Sequence, residues 1–132
     1  MKFPRITLDV AAPGYEEAHY VFDCPQSCIV GRAEDCDIRI NEEGKRREIS
    51  RHHCLLELDP PAVRVYDLYS TNGTFVNGRR LLPDPNCTDL DRAAGTVLKA
   101  GDEIRVGNTT MHVWVESDAE ELEPASALMF SQ

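Results

Sequence analysis

Three groups of polar residues carry the chemistry available to this chain. Gly31-Arg32 closes one apolar run, Ser50-Arg51-His52-His53 opens another, and Ser70 to Gly78 reads Ser-Thr-Asn-Gly-Thr-Phe-Val-Asn-Gly. That last stretch contains two Asn-Gly pairs. Asn-Gly is the strongest short turn signal, because both residues tolerate the positive φ of a tight turn. Turns so close together leave space for only a very short strand around Phe75-Val76, and they hold Ser70, Thr71 and Asn72 up at a sheet end. Hydroxyls, a side-chain amide and a guanidinium fork are the donors that gather round an anionic group. The competing chemistry is a nucleophile and base made from Ser50 and His53. An offset of three along an extended chain points those side chains roughly opposite ways. No G-x-S-x-G elbow, P-loop, H-E-x-x-H or kinase motif is present either, so the residues are read as binding, not catalysing.

Charge narrows the target. The formal net charge is -9, which argues against a nucleic-acid binder, since phosphate backbones are gripped by excess Lys and Arg. Arg32, Arg39, Lys45, Arg46, Arg47 and Arg51 nevertheless fall within twenty residues, and Arg79 and Arg80 follow the turn-rich stretch. An acidic protein with a local basic cluster points to a small anionic target, not a polymer. The five cysteines are scattered, with no second pair to complete a tetrahedral site. They are read as free thiols, with no metal and no cofactor. No run approaches 18 apolar residues, so a membrane span is excluded. Met1 to Arg5 has no signal-length apolar stretch behind it, and the expected location is the cytoplasm.

The elements that must position these groups read as strands. Residues 5–10 alternate with Ile6, Leu8 and Val10 on one face. Further short runs follow at 18–23, 27–32, 37–40, 53–58, 63–67, 80–82, 96–98, 103–106 and 110–116. Gly31 marks a tight bend or close approach. Nothing shows a sustained 3.6-residue apolar period. At 132 residues the chain suits one domain. Ten or eleven short strands punctuated by Gly and Pro indicate an all-β sandwich or barrel. Residues 41–47 read as a charged loop and 83–95 as a long surface loop. From Ser117 the chain turns acidic and small, giving the expectation of a flexible tail over 117–132.

Taken in order, Gly31-Arg32, Ser50-Arg51-His52-His53, Ser70-Thr71-Asn72-Gly73, Asn77-Gly78 and Gly101-Asp102 closely resemble the motifs of the forkhead-associated (FHA) domain. The resemblance runs from about Cys28 to Gly107. It implies an eleven-stranded antiparallel β-sandwich over residues 1–116 that binds phosphothreonine peptides and has no catalytic activity. On the family pattern Arg32 and Ser50 would contact the phosphate, and Thr71 would add a further hydroxyl. Asn72 would clamp the peptide main chain, and Arg51 would add backbone N–H and charge. His53, Gly31, Gly73, Asn77 and Gly78 would support the site structurally. Lys45, Arg46 and Arg47 border the expected groove as a possible specificity loop. The implied partner is a phosphothreonine-containing protein, a Ser/Thr kinase or its substrate, and not a nucleic acid or membrane. The alternative is a scaffold or oligomerisation module of the same fold that binds an unphosphorylated partner.

Overall fold

Alternation of apolar and polar residues writes the strands. The computed structural model describes residues 3–40, 48–81 and 95–116. Its eleven strands are β1 (Ile6–Ala11), β2 (Ala18–Phe22), β3 (Gln26–Gly31), β4 (Ile38–Arg39), β5 (Cys54–Asp59), β6 (Ala62–Asp67), β7 (Thr74–Val76), β8 (Arg79–Arg80), β9 (Thr96–Leu98), β10 (Glu103–Val106) and β11 (Thr109–Val115). They form a six-stranded sheet ordered β2-β1-β11-β10-β7-β8 and a five-stranded sheet ordered β4-β3-β5-β6-β9. The all-β sandwich expected from the sequence is the fold found.

Each sheet turns one face inward because its strands alternate with a period of two. Ile6, Leu8 and Val10 of β1 pair with Val115, Val113 and Met111 of β11, and Ile104 of β10 joins them beside Val76 of β7. Facing them are Cys28 and Val30 of β3, Leu56 and Leu58 of β5, and Val63 and Val65 of β6, all buried. Each fully buried Val, Leu or Ile contributes roughly 1.5–3 kcal/mol, so this two-layer core is what holds the loops in place. Burial also pushes the Cys28 thiol up to about 12, and that thiol behaves as a small apolar side chain.

The strand expected at 37–40 shrinks to Ile38–Arg39. It pairs parallel with β3, through Val30↔Ile38 and Gly31↔Arg39, where the other ladders are antiparallel. A short strand suffices because Asp37 anchors it, its Oδ2 accepting the Ile29 N–H at 2.8 Å. Residues 45–47, most of the expected 83–95 loop and the expected 117–132 tail lie outside the described residues.

The registers decide which loops share an end. The segments after β3, before β5, between β6 and β7, and at Gly107 all lie at one end of the sandwich. The turns after β5, after β7 and before β10 lie at the other. The Ser70–Gly78 stretch is thereby divided: Ser70–Gly73 sits at the first end, while β7 carries the chain across to Asn77-Gly78 at the second.

Candidate functional site

The loop end is held together by backbone, and Gly31 is where the approach is closest. A Cβ at that position would stand 2.2 Å from the Arg51 carbonyl oxygen and 2.8 Å from its carbon. Only a residue without a side chain lets β3 pass under the segment before β5. That contact lets Arg32 N donate to Ser50 O at 3.2 Å and Ala33 N to Arg51 O at 3.1 Å. Arg32 and Ser50, eighteen residues apart in the chain, are therefore fixed side by side. The half-buried Arg32 side chain is braced as well, its Nε donating to Ile49 O at 2.9 Å. Among the described residues, no hydrogen bond engages its two terminal nitrogens.

Ser50 is tied to the β6–β7 loop by its side chain. Its Oγ accepts the Thr71 N–H at 3.1 Å. A hydroxyl that already accepts has its proton to give outward. Beside it, Thr71 and Asn72 are exposed. Asn72 donates through Nδ2 to Glu48 O at 2.9 Å, which joins the two loops and fixes the amide with its Oδ1 oxygen available as an acceptor. The Arg51 side chain is exposed at the same end.

His53 lies beneath, fully buried. Its Nδ1 accepts the Ser50 N–H at 3.0 Å, and its Nε2–H donates to Gly73 O at 2.8 Å. Both ring nitrogens are engaged with backbone, so the ring cannot take a proton from the Ser50 hydroxyl. The nucleophile–base arrangement does not exist in this geometry. Gly73 adopts φ +93, which suits the glycine that the turn requires.

Asn77 works at the far end of β7. At φ 51 it occupies the left-handed region, donates through Nδ2 to Asp102 Oδ1 at 3.1 Å and accepts the Glu103 N–H at 3.0 Å. It fastens the β7–β8 hairpin, with Gly78 as its second turn residue, to the β9–β10 turn. Replacing Asn77 by Ala should cost about 2 kcal/mol, by loss of these bonds and the φ penalty. Asn77→Gly, which relieves φ alone, should cost about 1 kcal/mol. Urea unfolding of both variants checks this, and equal losses would show that φ contributes nothing.

Some site features have no simple sequence pattern. Ser70, grouped in the sequence with Thr71 and Asn72, is turned inward. Its hydroxyl donates to Asp67, which also takes the Ser70 N–H at 3.1 Å and the Thr74 hydroxyl at 2.7 Å. Asp67 is the hub that shapes the β6–β7 loop, and its offset of three from Ser70 is the local signal that could have revealed it. Tyr69, with φ 56 and 77% exposure, stands on the same loop.

Among the described residues the ion pairs are His19–Asp9 and His52–Asp35; no described carboxylate pairs with Arg32, Arg51, Arg79 or Arg80. Two groups of possible metal donors come close together, Asp35, Cys36 and His52, and Asp9, Glu17 and His19. Most of these donors are spent on one another or on backbone. His52 Nε2 meets Asp35 at 2.9 Å and holds its carboxyl below the usual range. Cys36 Sγ donates to Arg51 O at 3.1 Å, and His19 meets Asp9 at 2.6 Å.

The family model for the FHA domain matches residues 28–107. Human kanadaptin is 27% identical over 116 residues, which span 80% of this chain and 14% of that protein. The curated relatives that match are far longer, and the chain covers between 2% and 14% of their length. Among solved structures, the FHA domain of the CT664 protein from Chlamydia trachomatis superposes with a TM-score of 0.66 at 25% identity, over 83% of this chain and 96% of that one. A chain solved in a structural and functional analysis of phosphothreonine-dependent FHA domain interactions superposes with a TM-score of 0.64 at 25% identity, over 86% and 98%.

Proposed function

The chain belongs to the FHA domain family, and from that premise we propose that it is a cytoplasmic, non-catalytic adaptor that binds phosphothreonine in partner proteins, recruiting targets of a Ser/Thr kinase. One observation carries the reading. The Arg32 side chain is braced on Ile49 O, Ser50 Oγ is tied to the Thr71 N–H and Asn72 to Glu48 O, so the loops carrying these side chains are joined at one end, and no described carboxylate pairs with the guanidinium. A phosphothreonine brings about -1.5 to -2 charge and three acceptor oxygens. It can take the two Arg32 terminal nitrogens, the Ser50 proton and the Thr71 hydroxyl together, while Asn72 Oδ1 accepts a main-chain N–H of the peptide. Arg51 adds positive charge at the rim.

A few charge-assisted bonds of about 1.5–3 kcal/mol each, offset by the cost of ordering a peptide, give micromolar binding. The test is calorimetric titration with three degenerate peptide pools carrying phosphothreonine, phosphoserine or threonine at the fixed position. Binding of the phosphothreonine pool alone, weakening as the phosphate gains its second proton near pH ~6, is the expected result. Equal binding of all three pools would overturn it and favour a scaffold that takes an unphosphorylated partner.

A further inference from the structure

The outer face of the six-stranded sheet has an arginine pair beside the candidate site that the phosphate contacts do not use. Arg80 of β8 and Arg105 of β10 both pair with Phe75 of β7. The three side chains therefore lie in one row on one face. The Arg105 guanidinium stacks over the Phe75 ring, its Cζ 4.5 Å from the centroid. The Arg80 side chain rests on Gly73, where a Cβ would come within 2.6 Å of its Nε and 3.1 Å of its Cζ. Gly73 follows Asn72, so this packing sets the Arg80 fork directly behind the residue that would clamp the peptide. Both arginines are exposed, and neither pairs with a described carboxylate.

Two arginines fixed by an aromatic ring and a glycine have lost much of their freedom before any ligand arrives, so less is lost on binding. Among the described residues no carboxylate takes up their guanidinium edges, in a chain with 23 acidic residues. The row is also bounded. The next row of the same face runs Glu103–His112–Asp9–His19, bringing carboxylates. The positive strip therefore ends one strand-repeat from the loops and is continuous only with the Asn72 side of the site.

We propose that Arg80 and Arg105 form a second recognition strip, which selects phosphothreonine ligands carrying Asp or Glu beyond the segment held by Asn72. This inference rests on the phosphothreonine reading of the site. Each exposed arginine–carboxylate contact contributes about threefold to fivefold, so the wild type should prefer acidic over neutral flanks by roughly tenfold. That preference should shrink at raised ionic strength.

The experiment measures one ratio: affinity for a phosphothreonine pool with Asp/Glu flanks over affinity for a pool with Gln/Asn flanks. Wild type, Arg80→Gln, Arg105→Gln and the double variant are compared, with Arg32→Ala as the control for the phosphate site. A ratio of about ten that falls to about one in the double variant is the supporting result, whatever happens to absolute affinity through Gly73. A wild-type ratio of one, or a ratio kept in the double variant, overturns the strip while leaving the phosphate site standing. Failure of wild type to bind either pool overturns the phosphothreonine reading, and the strip with it.

Discussion

Arg32→Ala is expected to abolish phosphothreonine-peptide binding while leaving the sandwich folded. The guanidinium would supply two charge-assisted hydrogen bonds of about 1.5–3 kcal/mol each. Their loss weakens binding by between about a hundredfold and ten-thousandfold. From a micromolar starting point this puts the complex beyond titration. The cost to the fold is smaller. One bond disappears, from Nε to the Ile49 carbonyl at 2.9 Å, worth about 1 kcal/mol net, and the Arg32 N–H to Ser50 O contact stays because it is backbone. Arg32→Lys sharpens the test. Lysine keeps the charge as a compact ammonium and cannot hold the Ile49 carbonyl while presenting a planar fork. Calorimetry on the two variants should therefore give no detectable binding for Ala and at least a roughly tenfold loss for Lys. Binding retained by Arg32→Ala would sink the assignment of the phosphate to this end of the sandwich.

How much of this was legible beforehand depends on which physical signal carries it. The strands follow from a two-residue alternation of burial, and Ile6-Leu8-Val10 and Met111-Val113-Val115 are readable without coordinates. The turns follow from local φ requirements, so Asn72-Gly73 and Asn77-Gly78 are readable too. Contacts between segments distant in the chain leave no such trace. That Asn77 bonds Asp102 and Glu103, at the opposite end of β7 from Thr71, depends on where a three-residue strand carries the chain. The parallel pairing of β4 depends on Asp37 reaching the Ile29 N–H. Arg80 lying on Gly73 depends on the β7–β8 register. Asp67 is an intermediate case. Its bonds to Ser70 and Thr74 are local, yet the sequence alone grouped Ser70 with the residues offered to ligand, because a hydroxyl does not announce which way it turns.

His53→Ala should strongly destabilise the sandwich that Arg32→Ala leaves nearly untouched. The ring is fully buried between the two loops that make the site, accepting the Ser50 N–H and donating to the Gly73 carbonyl. Truncation leaves both groups without a partner and opens a cavity among them. An orphaned buried group costs about 1–3 kcal/mol, and the cavity adds to it, so a total of about 3–5 kcal/mol is expected. That is a large share of the roughly 5–15 kcal/mol that holds a domain together, and on the order of a 15 °C fall in Tm. His53→Gln, whose amide can donate to Gly73 O but lacks the ring's second contact, should fall between Ala and wild type. Thermal and urea unfolding measure the stability, and peptide titration below the transition measures the site. The two substitutions then separate two expected roles: loss of Arg32 should act on ligand binding with little cost to the fold, and loss of His53 should act on binding only through the register of Ser50 and Gly73. A His53→Ala variant with wild-type stability would show that the loops need no brace, and Ser50 would then owe its position to Gly31 and the Arg32 backbone contact alone.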